Sequence, residues 1–173
     1  MRKLLTLIIS IAGALSLASQ AAHAAEVYSP IPTKISGVIN GAPPSDAIIL
    51  FDGSNLDAWH SVNGEQQADW TIADGVVTVK NGAGSIKTKQ AFADMQLHIE
   101  FSPTAVIAGA GQSRGNSGIF LHSLFEVQVL DSWENPTYVN GQAGSVYLQH
   151  APLVNVSKPP GQWQSYDIIF TAP

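Results

Sequence analysis

Beyond residue 45 the chain is a series of short apolar runs separated by turn residues, and this spacing constrains the fold more than any other feature. Runs of this kind are typical of a β-sandwich or barrel. No helical period extends past the N-terminal segment. We therefore predict an all-β fold, a two-sheet antiparallel sandwich. The predicted strands cover 47–51, 70–80 as a hairpin turning at Asp74-Gly75, 85–88, 95–101, 117–122, 125–130, 145–150 and 163–170.

The first 24 residues have the pattern of an export signal. Arg2 and Lys3 precede an apolar run over 4–17, and Ala22-His-Ala24 fits the small-x-small site that signal peptidase recognises. The run is shorter than the ~20 residues that span a bilayer. We expect a periplasmic or secreted protein, with no membrane attachment after cleavage. Residues 25–45, with four prolines, are predicted to form a leader, and 46–173 the folded domain.

The last apolar run ends at Pro173 without a polar closing turn. Natural sheets avoid an unpaired apolar edge. We therefore expect the domain to be incomplete at this end, with further strands belonging to the same fold.

Composition excludes several classes of function. There is no cysteine, so disulfides, thiolate metal sites and cysteine nucleophiles are excluded. Taking Arg2 and Lys3 from the eight basic residues leaves six against thirteen acidic ones, a net charge of −7. Because phosphate binding needs clustered Lys and Arg, we expect no nucleic-acid partner. No cofactor is predicted. A divalent metal held by loop oxygens stays open, and the oligomeric state is not readable.

The segment 116–131 contains the best candidates for catalysis. Strand alternation puts Glu126 and Gln128 on one face and the apolar residues between them on the other. His122, at the end of the preceding strand, should join that face, and a bulge would bring Asp131 to Glu126. Two carboxylates, an amide and an imidazole would then supply a general acid, a base and a group that orients the substrate. An ordinary solvent-facing strand has the same pattern, so both interpretations stay open.

Further residues suggest sugar binding. Tyr147 and Gln149 should share one face of the predicted strand 145–150, and Trp133 lies in a polar loop after Asp131. An aromatic ring stacks on the C–H face of a sugar while amides bind its hydroxyls, although Tyr147 could equally be a core residue with a satisfied hydroxyl. The candidate catalytic residues are Glu126, Asp131 and His122, and the candidate substrate-binding residues are Asn116, Gln128, Tyr147, Trp133 and Gln149.

Several motifs resemble, in order, those of the 3-keto-disaccharide hydrolase family over roughly 48–173. They are Leu50-Phe-Asp-Gly53 with Leu56 and Trp59, Gly115-Asn-Ser-Gly-Ile-Phe-Leu121, Glu126-Val-Gln-Val-Leu-Asp131, Gly144-Ser-Val-Tyr147, and Gly161-Gln-Trp163 with Tyr166. The resemblance implies a concanavalin A-like jelly roll whose C-terminal strands lie beyond this chain. His122 departs from the pattern, because many members have Arg there.

The resemblance also implies an activity, the cleavage of glycosides already oxidised to a ketone at C3. A base removes the C2 proton, the C1 substituent leaves, and water adds to the unsaturated sugar. Glu126 or His122 would be the base, Asp131 would orient or donate, and Asn116, Gln128 and Tyr147 would hold hydroxyls. Two alternatives remain. One is direct hydrolysis, since Glu126-x-Gln-x-x-Asp131 resembles the Glu-x-Asp-x-x-Glu strand of laminarinase-type glucanases, and the other is a binding module without turnover.

Overall fold

The computed structural model describes residue 30, residues 32–37 and residues 41–173. The predicted signal peptide, 1–24, lies outside the described residues, as does part of the predicted leader. The described part of the leader contains no strand or helix. Nowhere in the described residues does a helix reach the length and apolar character that a membrane crossing requires.

The described residues form eight strands and two short 3₁₀ helices. All of them lie in one compact unit, Leu50–Pro173. The strands are β1 (Trp59–Ser61), β2 (Thr71–Ala73), β3 (Val76–Thr78), β4 (Ile86–Thr88), β5 (Met95–Phe101), β6 (Ser117–Leu121), β7 (Phe125–Val129) and β8 (Gln164–Phe170), and the 3₁₀ helices are η1 (Gly111–Ser113) and η2 (Val139–Gly141). They pair antiparallel as β1–β4, β2–β3, β5–β8 and β6–β7. The all-β prediction is confirmed.

Two local predictions are confirmed with their physical reasons. The hairpin β2–β3 turns at Asp74 and Gly75, whose φ angles of 51° and 76° fit the two-residue turn that an Asp-Gly pair favours. Strand β5 covers the predicted residues, with Leu97 and Ile99 half-buried and His98 and Glu100 exposed. Alternation of period two is therefore a reliable signal where one face of a strand is covered.

Two predicted strands are absent. Residues 47–51 make no ladder within the described chain, and Ile48 and Ile49 are exposed. Residues 145–150 form a turn, because Leu148 has φ of 58° and the amides of Gln149 and His150 both donate to the carbonyl of Val146. An isolated bridge joins Val146 to Val127 of β7, and backbone hydrogen bonds join Ser145 to Gln128 and Tyr147 to Glu126. The segment therefore contacts the edge of β7 without continuing as a strand.

The ladders β5–β8 and β6–β7 contact each other through their apolar faces. The rings of Phe125 and Phe170 lie 6.0 Å apart, and the hydroxyl of Tyr166 donates to the backbone carbonyl of Gln128 at 2.8 Å. Leu121 and Leu130, at the ends of β6 and β7, are buried. This contact leaves the opposite face of β6–β7 available for a site.

Candidate functional site

Glu126 lies on the face of β6–β7 that points away from the Phe125–Phe170 contact. The register pairs Phe120 with Glu126 and Gly118 with Gln128, so these four residues share one face, hereafter the Glu126 face. A Cβ atom at Gly118 would collide with the carboxylate of Glu126. The backbone of Gly118 is outside the left-handed region, so glycine there provides space for that carboxylate.

Burial changes the acidity of Glu126. The side chain is half-buried, and this desolvation raises the pKa of its carboxyl group above the ordinary value. Desolvation disfavours the charged form of an acid. A general base works best when its pKa lies close to the working pH. The shift therefore moves Glu126 in the direction that proton abstraction needs.

Two tyrosines lie beside Glu126. The hydroxyls of Tyr138 and Tyr147 are hydrogen-bonded to each other, with ring centroids 6.2 Å apart. The backbone amide of Tyr147 donates to the carbonyl of Glu126 at 2.9 Å. The hydrogen bond between the two hydroxyls raises the pKa of Tyr138 to about 12, and the charge of Glu126 acts in the same direction. Tyr138 is thus close enough to Glu126 to respond to its charge.

Sequence reasoning predicted Tyr147 but missed Tyr138. Tyr147 was expected on a strand and lies in a turn instead, yet it remains next to Glu126. Tyr138 immediately precedes η2, in a loop with no strand period. A Cβ at Gly141 would collide with the ring of Tyr138, so this glycine was the one local signal of a crowded side chain.

Three side-chain amides form a network behind these groups. Gln128 is fully buried and donates to Oε1 of Gln112 at 2.9 Å, while Asn116 donates to the carbonyl of Gln112 at 2.9 Å. Gln112 in turn donates to the carbonyl of Gly141 at 2.8 Å and to the hydroxyl of Thr137 at 3.1 Å. Gln128 shares the face of Glu126 as the alternation predicts. Its side chain is buried against Gln112, and the predicted contact with a substrate stays a prediction.

Asp131 does not reach Glu126, and this corrects the expected bulge. Strand β7 ends at Val129, and the buried carboxylate of Asp131 accepts a hydrogen bond from Nε of the buried Arg114 at 2.7 Å. Asn135 donates to the backbone carbonyl of Asp131 at 2.7 Å. A buried carboxylate needs a charged or hydrogen-bonding partner, and Arg114 is that partner.

His122 does not share the Glu126 face, which corrects a second expectation. The chain turns at His122, whose φ is 51°, so strand alternation ends at Leu121. The ring of His122 lies edge-on to Phe170 at 5.0 Å, and its Nε2 is 2.8 Å from the carbonyl oxygen of Phe92. Phe170 belongs to the contact with Phe125 on the opposite face. His122 therefore lies off the Glu126 face, and its catalytic role stays a prediction.

The remaining predicted residues are exposed. Trp133 lies in the loop after Asp131, and its amide donates to the carboxylate of that residue at 3.3 Å. Gln149 lies in the turn that carries Tyr147. Asn116, also exposed, is joined to the amide network. The structure therefore brings together Glu126 and Tyr147, with Asn116 linked through Gln112.

A separate cavity of about 320 Å³ lies between β8 and the loop that precedes it. Its lining is Ala143, Gly144, Pro152, Val154, Val156, Ser157, Lys158, Gln164, Ser165 and Tyr166. None of the predicted site residues lines it. Across the described part of the chain, three or more His, Asp or Glu side chains nowhere converge as a metal site would require.

The profile of the 3-keto-alpha-glucoside-1,2-lyase-like domain matches residues 46–173. The chain belongs to this family. The match covers about three quarters of the sequence and confirms the resemblance found in the motifs. A search of curated proteins finds no match.

Two crystal structures are similar to the structure of this chain. One is a candidate glycosyl hydrolase from Parabacteroides distasonis ATCC 8503 at 2.13 Å resolution, 54% identical, with a TM-score of 0.80 over 86% of this chain and 64% of that one. The other, from the same organism at 1.70 Å, is 20% identical, with a TM-score of 0.58 over 72% of this chain and 64% of that one, and indicates the fold alone. The chain thus spans about two thirds of these proteins.

Proposed function

We propose that the protein is an exported enzyme that cleaves 3-keto-glycosides, with Glu126 as the base that removes the C2 proton. Family membership supports a sugar substrate. The sequence pattern supports a periplasmic or secreted location. The jelly roll implied by the motifs remains part of this proposal.

The observation that carries the proposal is a half-buried Glu126 carboxylate beside two tyrosine hydroxyls, with the second carboxylate of the motif paired elsewhere. Direct glycoside hydrolysis uses two carboxyl groups, ~5–5.5 Å apart for retention and ~6.5–9.5 Å apart for inversion. Asp131, the second carboxylate of the motif, is occupied by Arg114 in a buried ion pair. Elimination next to a ketone needs one base and neutral hydrogen-bond donors, which is what surrounds Glu126.

The chemistry balances with these groups. Glu126 takes the C2 proton, which the C3 ketone makes acidic, and the C–H electron pair moves through the enolate to form the C1–C2 double bond. The C1–O bond breaks, and the leaving oxygen departs with its electron pair and is protonated by water. Addition of water across the double bond completes a net hydrolysis. These steps assign no role to a resident cofactor, and the ketone must be made by an earlier oxidation.

Substrate contacts are proposed for the exposed residues around Glu126. Phe120, directly opposite Glu126, is 60% exposed and offers an apolar surface for a sugar ring. Asn116 and Tyr147 are proposed to hold hydroxyls, and Trp133 and Gln149 to form an outer rim.

In the test, the protein is incubated with methyl 3-keto-glucoside and, in parallel, with methyl glucoside. Two variants that each remove one negative charge are compared, Glu126→Gln and Glu100→Gln, the latter at an exposed position. We expect cleavage of the keto sugar only, lost in Glu126→Gln and kept in Glu100→Gln. A parallel assay with a chelator shows whether a divalent metal is required. Turnover of the unoxidised sugar alone, or full activity in Glu126→Gln, would refute the proposal.

A further inference from the structure

The hydroxyls of Tyr138 and Tyr147 together have one O–H donor that their mutual hydrogen bond does not use. Two hydroxyls carry two protons, and their mutual hydrogen bond uses one of them. The second proton is free for a third oxygen atom. Tyr138 is 43% exposed, so a ligand on the Glu126 face can approach the pair. The pair is therefore a single-donor site for a substrate oxygen.

The position of this donor is fixed from two sides. Tyr147 is tied to the backbone of Glu126 itself, through its amide and the Glu126 carbonyl at 2.9 Å. Tyr138 is held because Gln112 bonds the chain on both sides of it, at the Thr137 hydroxyl and the Gly141 carbonyl. Gln112 is thus a positioning residue. Groups that must meet a developing charge are effective when such supporting bonds fix them in advance.

The protonation state of Tyr138 also suits a hydrogen-bonded pair that donates. The hydrogen bond with Tyr147 and the nearby charge of Glu126 raise the pKa of Tyr138 to about 12. A phenol in this state keeps its proton at neutral pH, so it donates a hydrogen bond without being consumed. A neutral tyrosine serves in this way in ketosteroid isomerase, where it faces an enolate oxygen.

We propose that the Tyr138–Tyr147 pair donates a hydrogen bond to the C3 oxygen of the substrate and stabilises the enolate that forms when Glu126 removes the C2 proton. This inference rests on the proposed function. Negative charge moves from the breaking C2–H bond to the C3 oxygen, and the pair retains its proton throughout. The charge returns through C2 as the C1–O bond breaks, so the pair acts before the leaving group departs.

The experiment measures exchange of the C2 proton in D₂O and cleavage of the keto glucoside, for the wild type, Tyr138→Phe, Tyr147→Phe and the double variant. Removing one donor to an oxyanion costs ~10²–10³-fold in rate, and we expect that loss in both readouts, with KM little changed, in the double variant and in the single variant that lacks the hydroxyl facing the substrate. The other single variant keeps that hydroxyl but removes the hydrogen bond that positions it, so its loss should be smaller. The double variant should lose no more than the more impaired single one, because only one hydroxyl of the pair faces the substrate. His98→Gln, on the exposed face of β5, is the control for a remote change.

A third variant keeps both hydroxyls and moves one. Gly141→Ala puts a methyl group where the ring of Tyr138 lies, so its rate should fall although no hydroxyl is lost. If Tyr147→Phe does not fold, Tyr138→Phe and Gly141→Ala carry the test. Thermal unfolding of each variant separates this effect from loss of structure.

The outcomes separate the two proposals. If the wild type exchanges and cleaves while the Tyr→Phe variants match it, the role of the pair is refuted and the proposed function stands. If the wild type neither exchanges nor cleaves any 3-keto-glucoside, both fail. A series of aryl 3-keto-glucosides adds a further check. A loss that grows with the pKa of the leaving group would assign the pair to leaving-group protonation and overturn the enolate role, whereas a constant loss supports it.

Discussion

Replacing Gly118 with alanine tests the placement of Glu126 without touching its chemistry. The added Cβ would lie 2.8 Å from Cδ and 2.9 Å from Cγ of Glu126, and closer still to Oε1. Carbon atoms in contact are normally ~3.5–4.0 Å apart, so the carboxylate must move by about 1 Å. A displacement of ~1 Å from the reacting geometry can cost about 10²-fold in rate. We expect kcat/KM for the keto glucoside to fall by that factor.

The fold should tolerate the same change. The Glu126 side chain can rotate away, and alanine in place of glycine typically gains ~0.4–1 kcal/mol when the backbone conformation suits it, as it does at Gly118. Thermal unfolding should therefore show an unchanged or slightly raised midpoint. Activity is therefore expected to fall without a loss of stability.

Gly37→Ala is the matched control, because nothing lies within 4 Å of the Cβ that it adds and its backbone is outside the left-handed region. Its kcat/KM should equal that of the wild type. A Gly118→Ala enzyme within about threefold of the wild type would show that the position of the Glu126 carboxylate does not matter, and Glu126 would cease to be the base.

Other predictions concern the two carboxylates of the motif. Glu126→Gln should lower kcat by ~10²–10⁴-fold while sugar binding persists in a calorimetric titration, with Glu100→Gln unchanged in both assays. Since burial raises the pKa of Glu126, activity should be lost on acidification at a higher pH than for an exposed glutamate, which a pH profile of kcat/KM would show. A raised pKa means that ionisation of Glu126 opposes folding above that pKa, so Glu126→Gln should unfold at an equal or higher temperature at neutral pH. Asp131→Asn should lower the free energy of unfolding in urea by ~3–5 kcal/mol, because it leaves the buried Arg114 unpaired.

The sequence predicts the parts of the fold that local rules determine. Asp74 and Gly75 specify a tight hairpin by their backbone preferences alone, and the alternation in β5 reflects the difference between a covered and an exposed face. The strand predicted at 145–150 was wrong because Val146 and Leu148 alternate with polar residues as in a strand, although the segment forms a turn. The turn has no Gly or Pro within it, and Leu148 adopts a positive φ angle that its sequence does not signal.

The candidate site divides in the same way. Glu126 could be predicted because its orientation follows from its own strand. The partners of Asp131 and His122 could not, because Arg114 lies in the loop before β6 and Phe170 on the strand β8, and only tertiary packing brings them together. Tyr138 was missed for the same reason, since it reaches Glu126 from a loop.

The two glycines of the site link its architecture to its proposed chemistry. Gly118 and Gly141 both have ordinary backbone angles, so neither is required by a turn, yet a side chain at either would displace a functional group, Glu126 in one case and Tyr138 in the other. Space for one carboxylate and one phenol is thus built into the backbone. A single carboxylate cannot remove an unactivated sugar proton, but it can remove one beside a ketone if a donor stabilises the resulting enolate. The proposed base, Glu126, and the proposed donor, the tyrosine pair, are therefore effective only together. Alanine at either Gly118 or Gly141 should impair the same step, removal of the C2 proton, while leaving the strands intact.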